Sequence, residues 1–225
     1  MTGVVADATV TRLAAGRRRL CLVLLVGVTA ALVVSGIKPH DALTWLLEVL
    51  PVLIAVPIMM ATYRRFPLTP LLYVLIALHA LVSIVGGHYT YARVPLGFWM
   101  QDWFDLTRNH YDRIGHFMQG FVPAIVAREL LLRTTPLRRG AWLFTIVTLS
   151  ILGVSALYEF TEWWAALAGG SAATDFLGTQ GDVWDTQWDM FMALCGAIVA
   201  QLTLGSVHDA QLARLTRAGE NNSNS

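Results

Sequence analysis

The chain has 225 residues, of which 56% are hydrophobic and only 14% charged, and its mean hydropathy is +0.56. Soluble domains carry about 25% charged residues, so this composition excludes an ordinary water-soluble globule and points to a membrane protein. A formal net charge of +1 argues against nucleic acid as a partner.

Spanning the hydrocarbon takes about 20 apolar residues as a helix, and six stretches approach that length in chain order. Residues 20–37 follow the basic run Arg17, Arg18 and Arg19, which resembles the start of a signal peptide. No A-x-A-like cleavage site follows and a second apolar run begins six residues later, so an uncleaved anchor is expected. Residues 43–61 contain Glu48, Pro51 and Pro57, and residues 68–85 carry His79 as their sole ionisable group. The fourth stretch, 114–132, is more polar because Arg128 and Glu129 stand near its end. Stretches 141–158 and 190–207 complete the set, and the tail over 208–225, ending NNSNS, is expected to be a disordered cytoplasmic segment. Cys21 and Cys195 lie in apolar helical runs and read as small hydrophobes, not as a disulfide or a metal pair.

Charge sets the expected orientation. With the N-terminus in the cytoplasm, twelve Arg residues fall in inner segments, and Lys38, Arg93, Arg108 and Arg113 alone fall in outer ones. Lys and Arg favour cytoplasmic loops, so both termini are expected inside. The expected fold is therefore all-α and polytopic: one integral-membrane domain over 1–225, with six transmembrane helices in a bundle and an outer interfacial helix. Its one foreseeable partner is the lipid bilayer.

Under this topology seven of the eight Trp residues, Trp45, Trp99, Trp103, Trp163, Trp164, Trp184 and Trp188, lie near the outer side as an aromatic belt. Eleven of the fifteen Asp and Glu residues lie there as well. In the outer loop, Asp105, Asn109, Asp112 and His116 recur at steps of three or four, which is one face of a helix. Glu159 and Glu162, spaced i, i+3, close the fifth span, where the helix dipole opposes a carboxylate and capping is no explanation. Gln180, Asp182, Asp185 and Asp189 lead into the sixth span. Three adjoining helix ends thus deliver ionisable groups to one depth. Glu48 and His79 sit within the outer half of their spans, where ionisable residues usually face the bundle interior.

Bland readings exist for each residue alone. Asp112, Asp185 and Asp189 can cap helix starts, Glu162 can be solvated, His79 can be a packing residue, and Arg108 and Arg113 can neutralise the acids in a structural network. Taken together they require several coincidences at one depth.

At HYTYARVPLGFW, DRIGHFMQGF, LYEFTEWW and LGTQGDVWDTQWDM the chain resembles the YjdF-like family of bacterial inner-membrane proteins, over nearly all of residues 20–205. The resemblance implies a six-span bacterial protein and supplies no reaction. A fainter likeness is to VanZ-like membrane proteins, associated with glycopeptide resistance, in Asp112 with His116 and in Asp189 with Gly196. Gly120 and Ala193 depart from that second pattern, where Tyr and Asn are usual.

Three functions fit these residues. In the first, a metal-assisted enzyme acts at the outer leaflet on a lipid or lipid-linked substrate, with Asp112, His116, Glu159, Asp185 and Asp189 as catalytic candidates. His116, Glu159, Asp185 and Asp189 would ligate a divalent cation, and Glu48, His79, Asp105, Glu162, Gln180 and Asp182 would line the substrate site. In the second, the protein is a non-enzymatic binder or transporter, against which the inner half shows no second set of charged residues and no inverted repeat. In the third, it is an envelope-stress, resistance or assembly partner with a rigid polar plug.

Overall fold

The computed structural model describes residues 2–169 and 179–223, with side chains over 15–168 and 179–217. Leu177 and Gly178 of the last family motif lie outside the described residues. Among the described residues seven α-helices form in chain order: α1 (Thr2–Ser35), α2 (Ala42–Thr62), α3 (Pro70–Tyr89), α4 (Pro95–Phe104), α5 (Tyr111–Thr134), α6 (Ala141–Gly169) and α7 (Asp185–Ser223). No strand occurs among the described residues.

Local chemistry explains where the helices start and stop. Asp41 caps α2 by accepting the Thr44 amide at 2.7 Å, which also holds its carboxyl below the usual range. Pro70 and Pro95 stand at the first turns of α3 and α4, where a missing N–H costs nothing, so Pro70 opens a helix where the sequence reading had it inside a span. Asp105 ends α4 in the left-handed conformation, at φ 53. That turn breaks the single face expected for Asp105, Asn109, Asp112 and His116: α5 begins only at Tyr111, and Asp105 is left exposed.

Five helices, α1, α2, α3, α6 and α7, are long and apolar enough to cross a membrane, so the chain is a polytopic all-helical membrane protein. α5 has 24 residues but bears Asp112 and Arg113 at its start and Arg128, Glu129 and Arg133 at its end, and it is not among the five. It is nevertheless the centre of the bundle, packed against α3, α6 and above all α7. α6 continues ten residues past Glu159, which removes that residue from the helix end where the dipole would act. α7 continues to Ser223, so residues 208–223 are helical and His208 is fully buried; the expected disordered tail is absent up to that point.

Two apolar clusters hold the helices. Leu72, Val122, Ile125, Leu143, Val147 and Ala197 join α3, α5, α6 and α7, while Val28, Val49, Val52, Ala80 and Ile84 join α1, α2 and α3. Lipid is as apolar as these side chains, so close van der Waals packing holds membrane helices together and small residues are favoured where they cross. The α5–α7 crossing follows this rule. A Cβ on Gly120 would stand 1.9 Å from the Ala193 carbonyl oxygen, and one on Gly196 would stand 2.2 Å from that of Phe117. The two backbones touch, and no side-chain movement can make room.

Gly120→Ala is therefore expected to lower stability by about 1–3 kcal/mol through overpacking. Gly153→Ala, whose new methyl meets nothing within 4 Å, should leave it unchanged. Thermal unfolding of both variants in detergent checks the pair; equal melting temperatures would refute the backbone contact.

Candidate functional site

α5 and α7 run parallel, and the Gly120–Ala193 contact sets their register. One helical turn toward the N-terminus from that contact stand His116 on α5 and Asp189 on α7, followed by Asp112 and Asp185 in the first turns of the two helices. Two helix N-termini, each with a partial positive charge, thus point at one group of carboxylates. His116 Nε2 lies 3.4 Å from Asp112 Oδ1 and 3.7 Å from Asp189 Oδ1. Ligand atoms of Asp112, His116 and Asp189 all lie within 4.8 Å of one another, and all three residues are buried. Ligands of one divalent ion with bonds of about 2.0–2.3 Å fall at such separations.

The arginines occupy the other side of the acids. Arg113 Nη2 donates to Asp185 at 2.7 Å and to Asp182 at 3.3 Å, while its Nη1 bonds Asp189 and approaches Asp112 Oδ2 at 3.4 Å. Arg108 Nη2 donates to the same Asp185 oxygen at 2.6 Å, and its Nη1 bonds the Thr179 carbonyl. Gln180 and Asn109 pair through their backbone and side-chain groups, which ties the chain before α7 to the chain before α5. The remaining loop geometry is fixed by Asn109, whose amide fills the space left by Gly97 and donates to the Val94 carbonyl at 3.0 Å.

α6 supplies the third wall. His116 Nδ1 faces Glu159 Oε1 at 3.9 Å, too far for a hydrogen bond. Both atoms are buried without a hydrogen-bond partner among the described residues, as is Ser155 Oγ one turn away on the same face. The Tyr158 ring meets the His116 ring edge-on at 6.1 Å. Glu48 of α2 packs against Gly87 and lies within electrostatic reach of Asp112 and His116. Tyr91 fills the slot left by Gly86 and Gly115, where any Cβ would collide with its ring.

Six carboxyl groups are buried here, those of Glu48, Asp112, Glu159, Glu162, Asp185 and Asp189, and Arg108 and Arg113 pair with only the three aspartates among them. A carboxylate buried without compensation costs several kcal/mol, so the remaining negative charge needs protons or a cation.

Among the residues expected from sequence, Glu48, Asp112, His116, Glu159, Glu162, Asp182, Asp185 and Asp189 converge on this cluster, and Gln180 is at its edge. Asp185 is engaged by both arginines, and Glu159 faces the ring nitrogen of His116 turned away from Asp112 and Asp189, so the two do not share one ion's reach with the trio. Asp105 is exposed beyond the αL turn, and His79 is half-buried with no carboxylate acting on it among the described residues. Tyr91, Tyr158 and Ser155 were not foreseen: a tyrosine or serine in an apolar run has no pattern of its own, and only the glycines at 86 and 115 hinted at a slot.

The chain matches the family described as "Predicted membrane protein (DUF2238)" over residues 20–210. It belongs to this family. It is 56% identical over 186 residues to "Inner membrane protein YjdF" of Escherichia coli (strain K12), covering 83% of this chain and 89% of that protein. No solved structure matches it. The family match takes in every residue of the cluster and reaches past His208 and Asp209 at the other end of the bundle.

That other end corrects an expectation, because a second buried set of charged residues does exist there. Glu129, 0% exposed, accepts from the Thr69 hydroxyl at 2.8 Å, the Thr69 amide at 3.2 Å, Arg133 at 2.8 Å and His208 Nε2 at 3.0 Å. Arg128 contacts His208 Nδ1 at 2.6 Å and Asp209 at 2.6 Å, and Arg139 contacts Asp209 at 3.1 Å. Arginine is only a donor, so His208 Nδ1 accepts from Arg128 and Nε2 donates to Glu129. His208 and Asp209 read as tail residues in the sequence because the apolar run stops before them. Both Glu129 oxygens are satisfied here, whereas Glu159 Oε1 has no hydrogen-bond partner among the described residues.

Glu129→Ala leaves four donors without their acceptor, and breaking such a buried network costs about 3–5 kcal/mol. A fall of that size in detergent stability is expected, measured by chemical or thermal unfolding, and a loss below about 1 kcal/mol would refute it.

Proposed function

We propose that Asp112, His116 and Asp189 hold a divalent cation near the outer face of the bacterial inner membrane, and that this ion serves chemistry on a lipid or lipid-linked substrate. The observation that carries the reading is the buried trio with its ligand atoms within 4.8 Å, set in an excess of negative charge. Two carboxylates and one imidazole suit Mg²⁺ or Mn²⁺, and Zn²⁺ with a water as fourth ligand. Glu159 then takes the second role at the histidine: with Nε2 on the ion, Nδ1–H points at the carboxylate that orients the ring. Arg113 steadies Asp189 and Asp185, while Glu48 and Glu162 remain as proton acceptors beside the site. Such an ion, held by Asp112, His116 and Asp189, would polarise a phosphoryl or carbonyl oxygen and, as Zn²⁺, would lower the pKa of bound water toward neutrality.

The transport reading gains a charged inner cluster that its sequence case lacked. About 20 Å separates His116 from Glu129 along α5, and the intervening layer, with Leu72, Val122, Ile125 and Val147, is apolar and closely packed. That layer favours a site served from one side.

We also infer that α5 is a sixth span and that both termini are cytoplasmic. In support, 24 helical residues reach about 36 Å, α5 is enclosed by three spanning helices, and Lys and Arg follow the positive-inside pattern. A C-terminal green fluorescent protein fusion should glow and a C-terminal alkaline phosphatase fusion stay inactive; an active phosphatase would overturn the topology.

For the site itself, purified protein titrated with Mn²⁺ should bind one ion per chain. His116→Ala or Asp189→Asn should weaken that binding by at least about 10–100-fold, without changing detergent stability as Glu129→Ala does. Unchanged Mn²⁺ affinity in both variants, or no binding by the parent, would sink the reading.

A further inference from the structure

The Glu129 end of the bundle, where the α1 span begins and α2 stops, carries an exposed basic surface that neither polar cluster uses. Arg17, Arg18 and Arg19 stand at the start of the span Ala15–Ser35. Arg64 and Arg65 follow α2 in a turn fixed by the Arg65 and Phe66 amides, which donate to the Thr62 carbonyl at 3.0 and 2.7 Å. Arg18, Arg19, Arg64 and Arg65 are exposed, and none of the four pairs with an acid among the described residues. The sequence has no Asp or Glu over 8–40 or 49–101. The described acids at this end, Glu129 and Asp209, are already held by Arg133 and by Arg128 with Arg139. The charge of these arginines is therefore free to meet something outside the chain.

Three observations say what that is. First, the two arginine groups meet: the Arg17 guanidinium lies 5.9 Å from the centre of the Tyr63 ring, directly before Arg64, and the Tyr63 ring lies 6.2 Å from that of Tyr73 on α3. Second, α1 and α2 each pack against α3 and hardly touch one another, which leaves a seam between them. Within about two helical turns of the Arg17–Tyr63 contact, Leu22 and Val23 of α1 and Ile58 of α2 are largely exposed, so apolar surface follows the charge as depth in the membrane increases. Third, Arg17 Nε is buried without a hydrogen-bond partner among the described residues. A buried donor left unpaired is costly, and a phosphate oxygen is the acceptor that the guanidinium fork matches.

We propose that the seam between α1 and α2 binds one anionic glycerophospholipid at this end, with the phosphate held by Arg17, Arg64 and Arg65 and an acyl chain laid along the exposed apolar residues. Basic groups flanking membrane helices draw the anionic lipids of the adjoining leaflet, which is the cytoplasmic one under the topology above. The site lies at the opposite end of the bundle from the Asp112–His116–Asp189 trio and is independent of the cation reading.

The test uses the full-length protein in neutral detergent, titrated separately with phosphatidylglycerol and phosphatidylcholine and followed by native mass spectrometry. Detergent leaves no orientation to be set, so a retained lipid reads the site and not the charge rule of insertion. One phosphatidylglycerol should bind with about tenfold preference over phosphatidylcholine. Arg64→Gln combined with Arg65→Gln should lower its retention about tenfold, and Arg17→Gln should lower it as well. Arg138→Gln combined with Arg214→Gln removes the same charge from exposed arginines elsewhere at this end and should leave retention as in the parent. Equal retention of the two lipids by the parent overturns the proposal. So does a loss in the Arg138, Arg214 pair as large as in the Arg64, Arg65 pair, which would reveal attraction to net charge alone.

Discussion

The backbone contact between α5 and α7 is the constraint on which the rest of the structure depends. Gly120 and Gly196 carry no side chain, so the two helices approach until carbonyl oxygens fill the space a Cβ would take. At that distance a parallel pair keeps its register over many turns. The residues before the crossing become one acid–histidine cluster and those after it become the Glu129–His208 network. Replace the glycines with anything larger and both ends separate together, although they are about 20 Å apart along α5.

The two polar ends are built on opposite principles. Both Glu129 oxygens have donors, and Asp209 is held by ion pairs with Arg128 and Arg139, so the network acts as a clamp between α3, α5 and α7. Around His116 the acids outnumber the arginines, and His116 Nδ1, Glu159 Oε1 and Ser155 Oγ lack partners among the described residues. A saturated cluster resists change, whereas an unsaturated buried one is a place where a ligand or a proton is stabilised. This asymmetry separates a structural charge network from a candidate site better than the count of charged residues does.

Much of the architecture was legible because lipid imposes a simple length and polarity rule. Each of the six apolar runs falls in a helix, since a hydrocarbon core demands that backbone groups be satisfied inside each helix, but α1 begins, and α6 and α7 end, more than ten residues beyond their runs. Errors arose where that rule has no force. At Asp105 a left-handed turn interrupts a pattern that looked helical through to His116, because polar spacing alone does not register a change of chain direction. Beyond Val207 the helix continues although polar and charged residues break up the apolar run, and His208 and Leu212 are buried there.

By itself the sequence determined that the chain is a helical membrane protein and where its apolar segments lie, since both follow from local composition and spacing. Only the tertiary structure decided the partners. It showed that Arg113 is shared among four aspartates, that Glu159 stands at the other ring nitrogen of His116 from Asp112, and that His208 closes a second network. The reason is geometric: the direction of a side chain around a helix axis gains meaning only when a neighbour is placed against it. In this fold two glycines set that placement, by leaving nothing between the backbones.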